Sequence, residues 1–107
     1  MKNYKIEFHG EFNPPLEVML SEIGLDDDDE AKNLEDRVHI SGFYTTRQIS
    51  SASNEEAIKL GVLQISEDMS DKFPDIYLRS KFTINVDDID EMSADYRLIN
   101  EGYSFYL

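Results

Sequence analysis

The sequence predicts an α+β fold: one domain whose mainly antiparallel sheet of about four strands carries one long and one short helix on one face. Three observations predict it. Two segments, around residues 4–12 and 82–86, alternate apolar and polar side chains, and a third, 53–69, repeats its apolar residues at helical spacing behind a capping signal. The chain's 107 residues can close one core but not two.

Each element follows from its residues. Tyr4, Ile6, Phe8 and Phe12 share one parity while Lys5, Glu7, His9 and Glu11 take the other, the pattern of a half-buried strand. Asn13-Pro14-Pro15 should end it, because two prolines remove backbone donors and push the preceding residues out of helical geometry. Beyond them Leu16, Met19, Leu20 and Ile23 recur at helical spacing, which predicts the short helix, opened by proline and stopped by Gly24. From Asp26 to Asp36 the only apolar residues are Ala31 and Leu34, so a solvated loop is expected.

Val38 to Ser51 is rich in β-branched and aromatic residues and predicts a long strand, or a hairpin about Gly42. Ser53-Asn54-Glu55-Glu56 fits a capping box, with the Ser53 hydroxyl taking the Glu56 amide and the Glu56 carboxylate reaching back. It opens the long helix, whose apolar stripe is Ala57, Ile58, Val62, Ile65 and Met69, with Lys59, Gln64, Glu67 and Asp68 turned outward. Gly61 lies on that stripe and predicts close approach of a neighbouring strand. Phe73-Pro74 ends the helix, and alternation returns between Ile76 and Val86. Asp87, Asp88, Asp90 and Glu91 form a second acidic run, read as a connecting segment, and the aromatic ending Gly102-Tyr-Ser-Phe-Tyr-Leu reads as a strand or a docked end. No repeat or linker divides the chain, so residues 1–107 are taken as a single acidic domain.

Composition narrows the chemistry. The absence of cysteine excludes disulfides, thiolate metal sites and thiol nucleophiles. His9 and His39 sit beside no nucleophile-elbow motif and form no helical i, i+4 pair, so they predict neither a catalytic base nor a zinc site. Read as a hand-type calcium loop from Asp26, the sequence places Ala31 where glycine is required and Arg37 where glutamate is required. The glycines are scattered and no Gly-Lys-Ser/Thr cradle occurs. The expectation is therefore a protein that is not an enzyme, with no catalytic residue, metal or cofactor.

Charge points to partners. Lys and Arg number 10 against 23 Asp and Glu, a formal charge of −13, which repels nucleic-acid phosphates and anionic lipid. Neither a signal-like apolar run at the start nor a membrane-length apolar stretch is present, so a cytoplasmic location is expected, with no nucleic-acid or membrane partner. The acids concentrate in two runs: Glu17, Glu22, Asp26, Asp27, Asp28, Asp29, Glu30, Glu35 and Asp36, then Asp87, Asp88, Asp90, Glu91 and Asp95. Such runs fit a basic protein surface, whose association they accelerate.

Gly42-Phe43-Tyr44-Thr45-Thr46-Arg47, the helix opening Ser53-Asn54-Glu55-Glu56-Ala57 and the ending Gly102-Tyr103-Ser104-Phe105-Tyr106 resemble an uncharacterised family of small bacterial proteins. That family carries a Gly-Phe-Tyr-x-Thr-Arg strand and a Gly-Phe-Ser-Phe-Tyr tail; the resemblance covers roughly residues 40–107 and implies a compact α+β domain without naming an activity. In profile, a small acidic cysteine-free chain is similar to the immunity proteins that block nuclease toxins in bacterial competition, including contact-dependent growth inhibition. The resemblance implies an inhibitor of a basic ribonuclease or deoxyribonuclease toxin domain. Asp26, Asp27, Asp28, Asp29 and Glu30, then Asp87, Asp88, Asp90 and Glu91, would pair with its Lys and Arg side chains, and an exposed aromatic, Tyr44 or Tyr103, would anchor it. The alternative is a structural or adaptor protein able to dimerise through an edge strand or the aromatic tail. A small carboxylate-dependent enzyme ranks last.

Overall fold

The computed structural model describes residues 1–19, 37–98 and 102–107. Its elements are β1 (Lys2–Met19), β2 (Arg37–Ser51), α1 (Asn54–Lys72), α2 (Pro74–Arg79), β3 (Phe82–Met92) and β4 (Tyr103–Tyr106). The strands form a four-stranded sheet in the order β3-β1-β2-β4, antiparallel at every junction, with the helices on one face. The expected α+β class holds, but the elements are cut differently in three places.

The prolines do not end β1. The register with β2 runs from Lys2 opposite Ser51 to Glu11 opposite Gly42, then resumes with Leu16 opposite Ile40 and continues to Met19 opposite Arg37. Residues 12–15 are thus spread opposite Ser41 alone, in a bulge where no ladder donor is asked of Pro14 or Pro15. The short helix expected over Leu16–Ile23 is therefore absent from Leu16, Val18 and Met19, which are extended; Leu20, Ile23 and Gly24 lie outside the described residues. Val18 and Ile40 are fully buried, so the strand arms beyond the bulge add to the core.

The short helix occurs instead at α2, where Pro74 supplies the first helical position. Ile76, assigned by alternation to a strand, is buried on that helix. The second acidic run is not a connection either. Asp87, Asp88, Asp90 and Glu91 lie within β3, whose apolar residues Phe82, Ile84, Val86 and Ile89 keep one face because Asp87 is the extra residue where the register with β1 shifts. Of the two readings of Val38–Ser51 the long strand holds, since β2 runs through Gly42 without a turn.

Helix α1 begins with half of the expected box. The Ser53 hydroxyl accepts from the Glu56 amide at 3.3 Å, but the Ser53 amide goes to the Ser51 hydroxyl at 3.1 Å, leaving the Glu56 carboxylate no donor to reach back for. Its buried residues are Ala57, Gly61, Ile65 and Met69, with Ile58 and Val62 packed beside them. Gly61 rests on β1 as its place on the stripe predicts, since a Cβ there would collide with the Phe8 ring.

A polar tie fixes the same helix. Arg47 of β2, with a side chain 5% exposed, reaches the Asp68 carboxylate at 3.1 Å, and the Tyr103 hydroxyl of β4 donates to the same oxygen at 2.8 Å. Arg47 also donates to the Thr45 hydroxyl and lies over the Tyr103 ring, 5.1 Å from its centre. Asp68, expected to face outward, is thus drawn inward by a buried guanidinium. Burial opposes its charge, but the hydrogen bonds from Tyr103 and Arg47 and the charges of Arg47 and Lys72 outweigh that and hold its carboxyl below the usual carboxylate range.

Two expected outcomes follow for stability. Gly61→Ala should destabilise the chain by about 1–3 kcal/mol in urea unfolding, because overpacking against the buried Phe8 ring outweighs the ~1 kcal/mol helix-propensity gain, and Phe8→Leu in the same chain should recover part of the loss. Asp68→Asn should cost about 1–3 kcal/mol at neutral pH. Because the folded carboxyl ionises below its unfolded value near 4, its stabilisation is present above that value and fades as pH falls toward the folded one; parent and variant should therefore converge in urea unfolding below about pH 4.

Candidate functional site

Among the described residues the sheet has one face under the helices and one on which no helix lies, here called the open face, and along Lys2–Glu11 and its partners alternation decides which residues stand on each. On the open face β1 places Lys5, Glu7, His9 and Glu11; β2 places Gly42, Tyr44, Thr46 and Gln48 opposite them. Across the other junction Thr83, Asn85, Asp88 and Asp90 of β3 stand opposite Glu11, His9, Glu7 and Lys5. From β4 come Ser104 and Tyr106, opposite Tyr44 and Gly42.

One end of this face is closed. The chain leaving β3 at one edge must reach β4 at the other, and it crosses near the start of β1, where Asn3 and Gln48 hold it. Asn3 Nδ2 donates to the Ser93 carbonyl at 3.0 Å, Gln48 Nε2 to the Asn3 side-chain oxygen at 3.0 Å and to the Tyr96 carbonyl at 2.9 Å, and the Leu98 amide to Gln48 Oε1 at 2.7 Å. Asn3 is buried as a result.

The other end carries three stacked rings. His9 lies 4.7 Å from Tyr44 at an interplanar angle of 17°, Tyr44 lies 5.3 Å from Tyr106 at 30°, and His9 Nε2 shares a hydrogen bond of 2.5 Å with the Tyr106 hydroxyl. Gly42 makes this possible: a Cβ there would collide with the Tyr106 side chain and the Gly10 carbonyl, so glycine lets the Tyr106 ring lie across β2 toward β1. Tyr44 remains 47% exposed, a large aromatic surface on a face that ordinarily carries small polar groups.

Carboxylates surround the rings. Glu7, Glu11, Asp87, Asp88 and Asp90 are all exposed, and Lys5 is the only base among the described strand residues of this face. Their reach is visible in Tyr106, whose phenol ionises above its ordinary range because of partial burial first, then Tyr44, Glu11 and Asp87. The helix layer differs, since Lys59, Lys72 and Arg79 interleave with its acids and two pairs close as ion pairs, Lys72 with Asp68 at 3.4 Å and Arg79 with Asp75 at 2.9 Å. Among the described strand and helix residues the open face is thus the more uniformly anionic one.

The residues singled out by sequence divide accordingly. Asp87, Asp88 and Asp90 share the open face with Tyr44. Glu91 falls on the opposite parity and pairs with Lys2 at 3.5 Å, and Tyr103 stands under the helices bonded to Asp68. Asp26, Asp27, Asp28, Asp29 and Glu30 lie outside the described residues. Sequence reasoning missed Tyr106, His9, Glu7 and Glu11. The parity of β1 already put the last three on one face, but nothing local joined them to Tyr106, 97 residues from His9. His39, at the far arm of β2, is exposed and lies 3.7 Å from Glu17.

Among the described residues no group of three or more His, Asp or Glu side chains is arranged to hold a metal ion, and no helix is long and apolar enough to cross a membrane. Compared with protein-family models, curated proteins and solved structures, the chain matches none.

The ring stack makes a spectroscopic prediction. Tyr106 should ionise later than an exposed phenol in an ultraviolet titration, and Glu11→Gln with Asp87→Asn should lower its midpoint while leaving the other tyrosine transitions in place.

Proposed function

We propose that this chain is an acidic inhibitor of the immunity-protein kind, a cytoplasmic protein that binds a basic toxin domain, a ribonuclease or deoxyribonuclease, and blocks it without catalysing a reaction of its own. The observation that carries the reading is the open sheet face, where the exposed Tyr44 ring and its stacked neighbours sit in a field of carboxylates. A nuclease must be cationic where it holds phosphates, so carboxylates spaced along a sheet can occupy the same Lys and Arg side chains. Exposed aromatic surface adds what charge alone lacks, an anchor that buries area and offers its π-face to a guanidinium or ammonium.

The partner to test is the product of the reading frame beside this chain's own. Its toxin domain, purified, should bind this protein and lose nuclease activity at an equimolar ratio. Replacing Glu7, Glu11, Asp88 and Asp90 by their amides should slow association about ten- to a hundredfold and flatten its salt dependence. Tyr44→Ala should act chiefly on dissociation, at a cost of about 2 kcal/mol. Glu55→Gln with Glu67→Gln, on the helix layer, should change neither rate. A neighbouring product that is not a basic toxin domain, or association unchanged by loss of the four open-face acids, removes the reading.

A further inference from the structure

Strand β3 is the long edge of the sheet. One side pairs with β1 along its length, and among the described residues no strand pairs with the other. Exposed edges of this length are ordinarily short, covered or guarded, because their free amides and carbonyls template another strand. Here the cover is incomplete. Helix α1 lies over β1 and β2, so Phe82, Ile84, Val86 and Ile89 of β3 are only half-buried although they point to the core side. Beside Phe82 and Ile84 lies a groove of about 500 Å³, lined also by Val62 and Ser66 of α1, Tyr77 of α2, Ser80 and Lys81.

The two faces of this edge differ in chemistry. Toward the groove it offers apolar side chains; toward the open face it offers Asp88 and Asp90, with Asp87 at the bulge. A strand added alongside β3 would place alternate residues against each. Its groove-side residues must be apolar to cover Ile84, Val86 and Ile89, and its open-face residues must be cationic to stand beside the aspartates. A second copy of this chain does not meet that requirement through β3, whose open-face residues Thr83, Asn85, Asp88 and Asp90 include no cation to set beside the aspartates.

We infer that β3 is a docking edge for an extended segment of a cationic partner in which apolar residues alternate with Lys or Arg, added to the sheet by main-chain pairing. The inference rests on the proposed inhibitor reading and assigns part of that partner's contact to one edge of the open face.

The test uses a peptide of roughly nine residues alternating valine and lysine, and an isomer of the same composition with its valines and lysines in separate blocks. The alternating peptide should slow amide exchange along β3 and bind about tenfold or more tightly than the blocked isomer, and Asp88→Lys with Asp90→Lys should abolish that difference. Equal binding of the two isomers, or binding without protection of β3 amides, overturns strand addition. So does protection of the outward β3 amides before any peptide is added, which would show the edge already covered by this chain or by a second copy. None of these results touches the toxin-binding measurement, so the docking edge can fail while the inhibitor reading stands; loss of both would show that the reading beneath it was wrong.

Discussion

The position of helix α1 governs which surfaces of this protein face water. The helix is set by contact at Gly61, where the Phe8 ring takes the space of a side chain, and by Asp68, which meets the buried Arg47 and the Tyr103 hydroxyl. These attachments centre it over β1 and β2 and tie it to β4. A helix with its side chains is about 10–12 Å across and neighbouring strands lie about 4.8 Å apart, so one helix covers two or three strands of a four-stranded sheet. On the β4 side the gap is filled by aromatic packing, with Phe73 meeting Tyr103 at 5.6 Å and Phe105 at 5.3 Å. On the β3 side the six residues of α2 cover only the end near Phe82. The half-buried edge is therefore a geometric consequence of where the helix is fixed.

The opposite face is shaped by glycine and by the route of the last connection. Gly10 and Gly42 are neighbours in adjoining strands, and each accommodates an aromatic ring from elsewhere, Phe43 toward the core and Tyr106 on the open face. The crossing chain held by Asn3 and Gln48 closes one end of the face and brings β4 back beside β2, which puts Tyr106 within reach of His9. Without that return the ring would belong to an exposed tail. Three elements distant in sequence thus meet in one stack, and each stacked pair contributes about 0.5–1.5 kcal/mol beyond its buried area at most, which orders the surface more than it stabilises the fold.

What could be read from the sequence was what local periodicity encodes. The parity of Tyr4, Ile6 and Phe8, the Ser53 cap and the meaning of Gly61 all depend on residues a few positions apart or on one steric fact. What could not be read depended on register. Pro14 and Pro15 break a ladder only if a ladder is demanded of them, and a bulge opposite Ser41 removes the demand. Asp87 likewise hides a strand, because one extra residue shifts the acids out of strict alternation while Val86 and Ile89 stay on one face. Tyr103 and Tyr106 cannot be assigned to their faces from the tail alone, since that assignment comes from Thr45 and Gly42 on β2. The candidate face was legible as its separate strips; their adjacency was not.

The arrangement of charge on that face carries a cost that a hydration coat would avoid. Lys5 stands opposite Asp90, a matched pair, but Glu7 stands directly opposite Asp88 on the neighbouring strand. Like charges so placed oppose sheet formation by a few tenths of a kcal/mol to about 1 kcal/mol. Solubility alone does not call for that pairing, since the same acids on the helix layer would hydrate as well and could pair with its lysines. The repulsion stores a modest free energy that any bound cation releases, because a lysine or arginine placed between Glu7 and Asp88 gains from both carboxylates and relieves their conflict. In the inhibitor reading, the pairing that opposes the fold favours a partner: carboxylates in conflict with one another make a basic surface the better neighbour.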